Sequence, residues 1–97
     1  YVLTFNRSAI ENKIAKLSEY LELKNPSFNS FIDWVLDLRD KIKIPHKLSE
    51  CAKITDKDIE TLAPMALNDP CTPENPKKTS LDDMKLMYQH SLEGKLF

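Results

Sequence analysis

Three prolines fall within seven residues at Pro70, Pro73 and Pro76, inside the stretch Ala66–Pro76. Each ring fixes φ and removes a backbone donor, so this stretch excludes a long helix and a central strand. Helical patterns flank it on both sides. The residues alone leave two readings open: an ordinary proline-rich turn between helices, or a stiff, shaped wall carrying Cys71.

The chain has 97 residues, enough for one domain with a modest core. Hydrophobic residues make up 41% and charged residues 30%, a balance that suits an ordered, globular segment. Fourteen basic and fifteen acidic residues are interspersed and form no basic stripe, which argues against nucleic-acid binding. No apolar run is long enough to span a membrane. Gly94 is the only glycine, so the segment has no phosphate-cradling loop and no dinucleotide fingerprint. Cys51 and Cys71 lack metal-ligand spacing and do not form a disulfide framework; two reduced thiols and a cytoplasmic location are expected. The opening, Tyr1 to Phe5, is apolar and abrupt and lacks the pattern of a signal peptide, as if cut from a longer protein.

The periodicity predicts an all-α fold of about four helices. Residues 1–5 read as the tail of a preceding helix or strand. Ser8 and Glu11 form a capping box for a helix over about 8–22, with Ile10, Ile14, Leu17 and Leu21 on one face. Asn25 and Pro26 suit the N-cap and first position of the second helix, with Ser27 as the alternative cap. That helix, with Phe28, Phe31, Ile32, Val35, Leu38 and Ile42 on a stripe broadened by Trp34, reads as a buried spine.

Pro45 ends the spine, Ile44 and Leu48 are expected to plug into the core, and His46 reads as a solvated loop histidine. Residues 51–54 form a short apolar tether. Thr55 caps the third helix, whose face is Ile59, Leu62, Ala63, Ala66 and Leu67, and Pro64 should kink it. After the corner at 68–76, Thr79 or Ser80 caps the fourth helix. Its face is Leu81, Met84, Tyr88 and Leu92, widened by Met87. Gly94 is its C-terminal stop, His90 lies in its last turn near the negative end of the dipole, and Phe97 tucks back.

Taken in order, the connector Ile44–Glu50, the opening Ile54-Thr55 of an acidic helix, and the run Met65–Thr79 resemble the C-terminal part of the iron-containing (group III) alcohol dehydrogenases. That family shows an Ile-Pro-x-x-Leu connector, then Ala-Leu-x-Asp-x-Cys-Thr-x-x-Asn-Pro-Arg, then a Thr-capped final helix. Tyr1-Val2-Leu3, Phe5 and Asn6 resemble the stretch just after its last metal-binding histidine, so the resemblance covers the whole chain.

The resemblance implies the helical domain of a dehydroquinate-synthase-like, two-domain dehydrogenase. An N-terminal α/β domain binds NAD(P), and the helical domain holds Fe(II), sometimes Zn, through one Asp and three His. The metal acts as a Lewis acid on a primary alcohol or aldehyde during hydride transfer. Metal ligands and cofactor glycines lie upstream of the match to Tyr1. Residues 1–97 are therefore expected to hold no metal ligand, no catalytic residue and no cofactor of their own, and to be inactive alone.

By the same resemblance the 69–76 turn approaches the catalytic cleft. Cys71 and Thr72 line its wall near the nicotinamide, while Asp69, Asn75 and Pro76 shape the turn. Lys77 stands where the family has Arg, keeping the charge but losing the bidentate fork. Lys43 stands where many relatives have Gly. The expected partners are the remainder of the enzyme and an alcohol or aldehyde, with no nucleic acid and no membrane. Self-association is expected through apolar faces left open at Phe28–Ile42 and Tyr1–Phe5. The alternative function is an autonomous helical interaction module. A small metal or redox protein using His46, His90, Cys51 and Cys71 fits worst, since these residues are scattered singly.

Overall fold

Hydroxyl side chains start three of the four long helices in the computed structural model, which describes residues 1–97. Ser27 stands at the head of α3 (Phe28–Lys41), Thr55 at the head of α5 (Asp56–Leu67) and Ser80 at the head of α6 (Leu81–Glu93). The fourth long helix is α2 (Arg7–Tyr20), and two single-turn helices, α1 (Val2–Phe5) and α4 (Leu48–Cys51), complete the α-helical set. There are no strands, as the all-α reading expects.

The caps are reciprocal where the sequence supplies the right pair. Ser30 N–H donates to Ser27 Oγ at 3.1 Å while Ser27 N–H donates to Ser30 Oγ at 2.9 Å. Asp83 accepts from Ser80 N–H at 2.9 Å and from Ser80 Oγ–H at 2.7 Å. Asp58 accepts the same two groups of Thr55, both at 2.7 Å. Each box satisfies donors that the first helical turn leaves unpaired.

Ser8 does not cap α2. Asn6 joins α1 to α2 at φ −80°, ψ 0°, a helical conformation that keeps the chain turning without the extended geometry of an N-cap. Ser8 consequently lies within α2, and Glu11 instead takes the Arg7 guanidinium at 2.7 Å. Nor does Asn25 cap α3; it sits in the left-handed region at φ 53°, and the extended Ser27 two residues later is the cap.

Two helix pairs make the body: α2 packs on α3, and α5 on α6, with α4 also against α6. The first pair buries Phe28, Phe31 and Ser18, and Arg7 lies over the Phe28 ring at 4.8 Å. The second buries Ile59 and Ala63. The helix α5 runs through Pro64 without ending there. Only 8 of 97 residues are buried, so most of each apolar face stays partly open.

That openness is most evident on α3. Trp34 is 40% exposed, Leu38 41% and Ile42 55%, so this helix is a half-covered edge and not a buried spine. Ile44, at 49%, does not plug into the core. The molecule measures 42 × 29 × 19 Å and exposes 6935 Å². A compact monomer of this mass would expose about 5,700 Å². The chain is a flat, open layer.

The termini close onto the middle of the chain. Phe97 meets the Phe5 ring edge-on at 5.4 Å and the His90 ring at 4.3 Å, and its N–H donates to Thr4 Oγ at 3.3 Å. His46 is not a solvated loop residue. Its ring packs against Tyr1 at 5.6 Å, and its Nε2 lies 2.9 Å from the Gly94 carbonyl oxygen.

Gly94 ends α6 in the left-handed region at φ 77°, and a Cβ there would meet Lys47 Cγ at 2.9 Å and His46 Cδ2 at 3.0 Å. Lys43 also has a positive φ, of 60°, at the position where the resemblance expects Gly. These two sites should respond oppositely in urea unfolding. Gly94→Ala should destabilise by at least about 1 kcal/mol, whereas Lys43→Gly should be neutral or stabilise by up to about 1 kcal/mol.

The caps also set a pH response. Hydrogen bonds from the Thr55 hydroxyl and then its backbone N–H hold the Asp58 carboxyl below its ordinary range; those from Ser80, backbone first, do the same for Asp83. A depressed folded-state value means the contribution is complete above the unfolded value, about pH 4, and is lost as pH falls through the folded one. Stability should therefore drop on acidification below about pH 4, and the Asp58→Asn, Asp83→Asn double variant should show a shallower drop. Unfolding midpoints compared between neutral and acid pH check this.

Candidate functional site

The proline corner is built by local hydrogen bonds before it is held by anything distant. Asp69 Oδ1 accepts from the Cys71 N–H at 2.8 Å, closing a tight turn around Pro70. A single 3-10 turn, Thr72–Glu74, follows. The prolines thus exclude an α-helix but not this short turn, because Pro73 sits near its start, where an N–H would have no partner. Thr72 Oγ donates to the Ala66 carbonyl at 2.6 Å and folds the corner back onto the end of α5.

The corner is then locked from across the molecule. Asn6 Nδ2 donates to Asn75 Oδ1 at 2.7 Å, and Asn75 Nδ2 returns a bond to Asn6 Oδ1 at 2.9 Å. Asn75 Nδ2 also donates to the Lys77 carbonyl at 2.6 Å. Asn6 is only 4% exposed, so this amide pair is largely shielded from water. The next residue is held too, with Lys77 Nζ over the Phe5 ring at 3.9 Å.

Between the corner, α6 and the N-terminal turn lies a cavity of about 580 Å³. Ala66, Pro76, Met84, Met87, Tyr88 and Val2 are among its apolar lining. Cys71 and Thr72 line it, so both cleft-wall residues of the sequence reading border one hollow. Asn75 and Pro76 line it as well, whereas Asp69 shapes the turn from outside. Pattern reading assigned Met84, Met87 and Tyr88 to the core face of α6. The structure leaves them half-buried because the corner stands off from α6 and does not pack down onto it.

The remaining candidate residues do not converge. Cys51 and Cys71 are free and exposed, and no group of three or more His, Cys, Asp or Glu side chains comes together. His46 is taken up by Tyr1 and Gly94, and His90 stacks on Phe97 with its Nδ1 buried and unpartnered. These donors do not fit a divalent metal centre, which requires at least three converging ligands. No Lys or Arg lines the cavity to meet a cofactor phosphate. Burial holds the Tyr1 phenol above its ordinary range, and its hydroxyl donates to the His46 carbonyl.

No helix is long and apolar enough to cross a membrane. Comparison with curated proteins returns no match, and comparison with solved structures returns none. Residues 1–92 match the family model described as Fe-containing alcohol dehydrogenase family, C-terminal. With an all-α architecture and a match over nearly its whole length, the chain belongs to the Fe-containing alcohol dehydrogenase family, as part of its C-terminal domain.

Proposed function

We propose that residues 1–97 form one wall of the substrate cleft in an enzyme that interconverts primary alcohols and aldehydes by hydride transfer with NAD(P). The observation that carries this reading is the locked corner, which sets Cys71 and Thr72 in the lining of an apolar cavity in a chain of this family. By the family resemblance, metal and NAD(P) would be held by residues outside 1–97. This chain's own part is to shape and desolvate the cleft. No chemical step is assigned to its side chains, and alone it is inactive. The two free cysteines suit a cytoplasmic, reducing setting.

The open stripe of α3 supports the same reading over an autonomous interaction module. Trp34, Leu38 and Ile42 stay exposed on a molecule with about 1,200 Å² more surface than a compact monomer of its mass would show. The rest of the same polypeptide would cover that stripe. Purified alone, the chain should then bind an apolar dye and self-associate with rising concentration. A strictly monomeric, dye-silent chain would speak for a self-contained module instead.

The activity itself is tested with the product of the full reading frame, loaded with Fe(II) and given a primary alcohol. Reduction of NAD(P) is expected there and not with residues 1–97 alone; turnover by the isolated chain would overturn the reading. Cys71→Ala in the intact enzyme should change KM or cofactor affinity and leave substantial kcat, since hydride transfer requires no nucleophile. Complete loss of turnover would make the thiol a catalytic group.

A further inference from the structure

A helix as short as α1 cannot hold itself in place. One turn fixes several dihedral angles for very few hydrogen bonds, so its position is set by whatever packs against it. Yet Thr4, Phe5 and Asn6 are buried, at 9%, 5% and 4% exposure. Three residues distant in sequence reach them. Asn75 pairs with Asn6, Lys77 lies over the Phe5 ring, and Phe97 meets both Thr4 and Phe5.

The segment after α6 is steered to that place. Gly94 turns the chain through the left-handed region, and the Lys95 N–H donates to the His90 carbonyl at 2.9 Å. The Gly94 carbonyl is held by His46, and the Phe97 ring contacts Phe5 and His90 together. These residues lie past position 92, where the family match ends. Their seal is weaker than the amide pair. Phe97 stays 40% exposed, and with its ring against His90 the buried Nδ1 of that imidazole has no partner. A closed segment therefore keeps dry a polar atom that an open one returns to water, which favours local opening ahead of global unfolding.

We infer that residues 94–97 form a releasable strap on the proline corner. Phe97 holds Thr4 and Phe5, these fix Asn6, and Asn6 fixes Asn75. Phe97 is thus a positioning residue for the corner, acting through Asn6, and release of the strap frees the turn that carries Cys71 and Thr72. The inference goes beyond the dehydrogenase reading and does not depend on which reaction the cleft serves.

Amide hydrogen exchange on the full chain tests it. The readout is the corner's own amides, the Thr72, Glu74 and Asn75 N–H groups that bond to the Asp69, Cys71 and Thr72 carbonyls. With Phe97→Ala these should exchange at least about threefold faster while amides in the middle of α3 keep their rates, and Phe97→Tyr, which keeps the ring, should stay slow. In an Asn75→Ala background, Phe97→Ala should add nothing further, because the route is already cut. In the unchanged protein the Lys95 and Phe97 amides should exchange faster than those of the corner. Unchanged corner exchange in Phe97→Ala would overturn the inference, and so would an undiminished effect in the Asn75→Ala background. Slower exchange at Lys95 and Phe97 than at the corner would make the segment a fixed part of the fold and not a strap. If Phe97→Ala speeds every amide alike, the milder Phe97→Leu decides: a rise confined to the corner supports the strap, and a uniform rise overturns it.

Discussion

The amide pair between Asn6 and Asn75 joins the two ends of this molecule's logic. Asn6 sits at the hinge between α1 and α2, and Asn75 at the exit of the proline corner. Two reciprocal bonds, at 2.7 and 2.9 Å, couple residues 69 positions apart. A side-chain amide carries both donor and acceptor, so a facing pair of asparagines satisfies both without leaving a charge in a shielded place. If either partner is lost, the other keeps an unpaired amide oxygen in a shielded place, which costs about 1–3 kcal/mol. The corner also has its own stiffness from Pro70, Pro73 and Pro76. Little conformational entropy therefore remains for the amide pair to offset, and two hydrogen bonds suffice to aim the whole segment.

Everything near the cavity follows from that aim. With Asn75 held at the hinge, Cys71 and Thr72 stand away from α6, and the half-buried faces of Met84, Met87 and Tyr88 look into a hollow instead of a packed core. The α2/α3 pair follows a different rule. It buries Phe28, Phe31 and Ser18 and leaves Trp34, Leu38 and Ile42 open. Membership of the C-terminal domain family accords with both features, the hollow beside the corner and the open apolar stripe on α3.

Local chemistry was legible in the sequence because its partners lie within a few residues. The Thr55 and Ser80 caps, the Gly94 stop and the helical faces of α5 and α6 all rest on i to i+4 relations. Ser8 misled because a capping box reads the same whether or not the preceding residue is extended; the helical Asn6 decided otherwise. Burial of α3 and of Ile44 was overstated, because a stripe of apolar residues shows which side faces inward but not whether anything covers it. The pairing of Asn6 with Asn75 and the docking of His46 on Gly94 span 69 and 48 positions, and no periodicity carries such information. The corner itself, with Cys71 and Thr72, was found through resemblance to a family, since proline chemistry alone left it a plain turn.

The account therefore stands on one coupling. In a double-mutant cycle of Asn6→Ala and Asn75→Ala, followed by urea unfolding of residues 1–97, the two sites should be non-additive by about 1 kcal/mol or more. That result is expected if the amide pair positions the corner. Additive effects would mean that the corner holds its place without Asn6, and would contradict the account of how the cavity is formed.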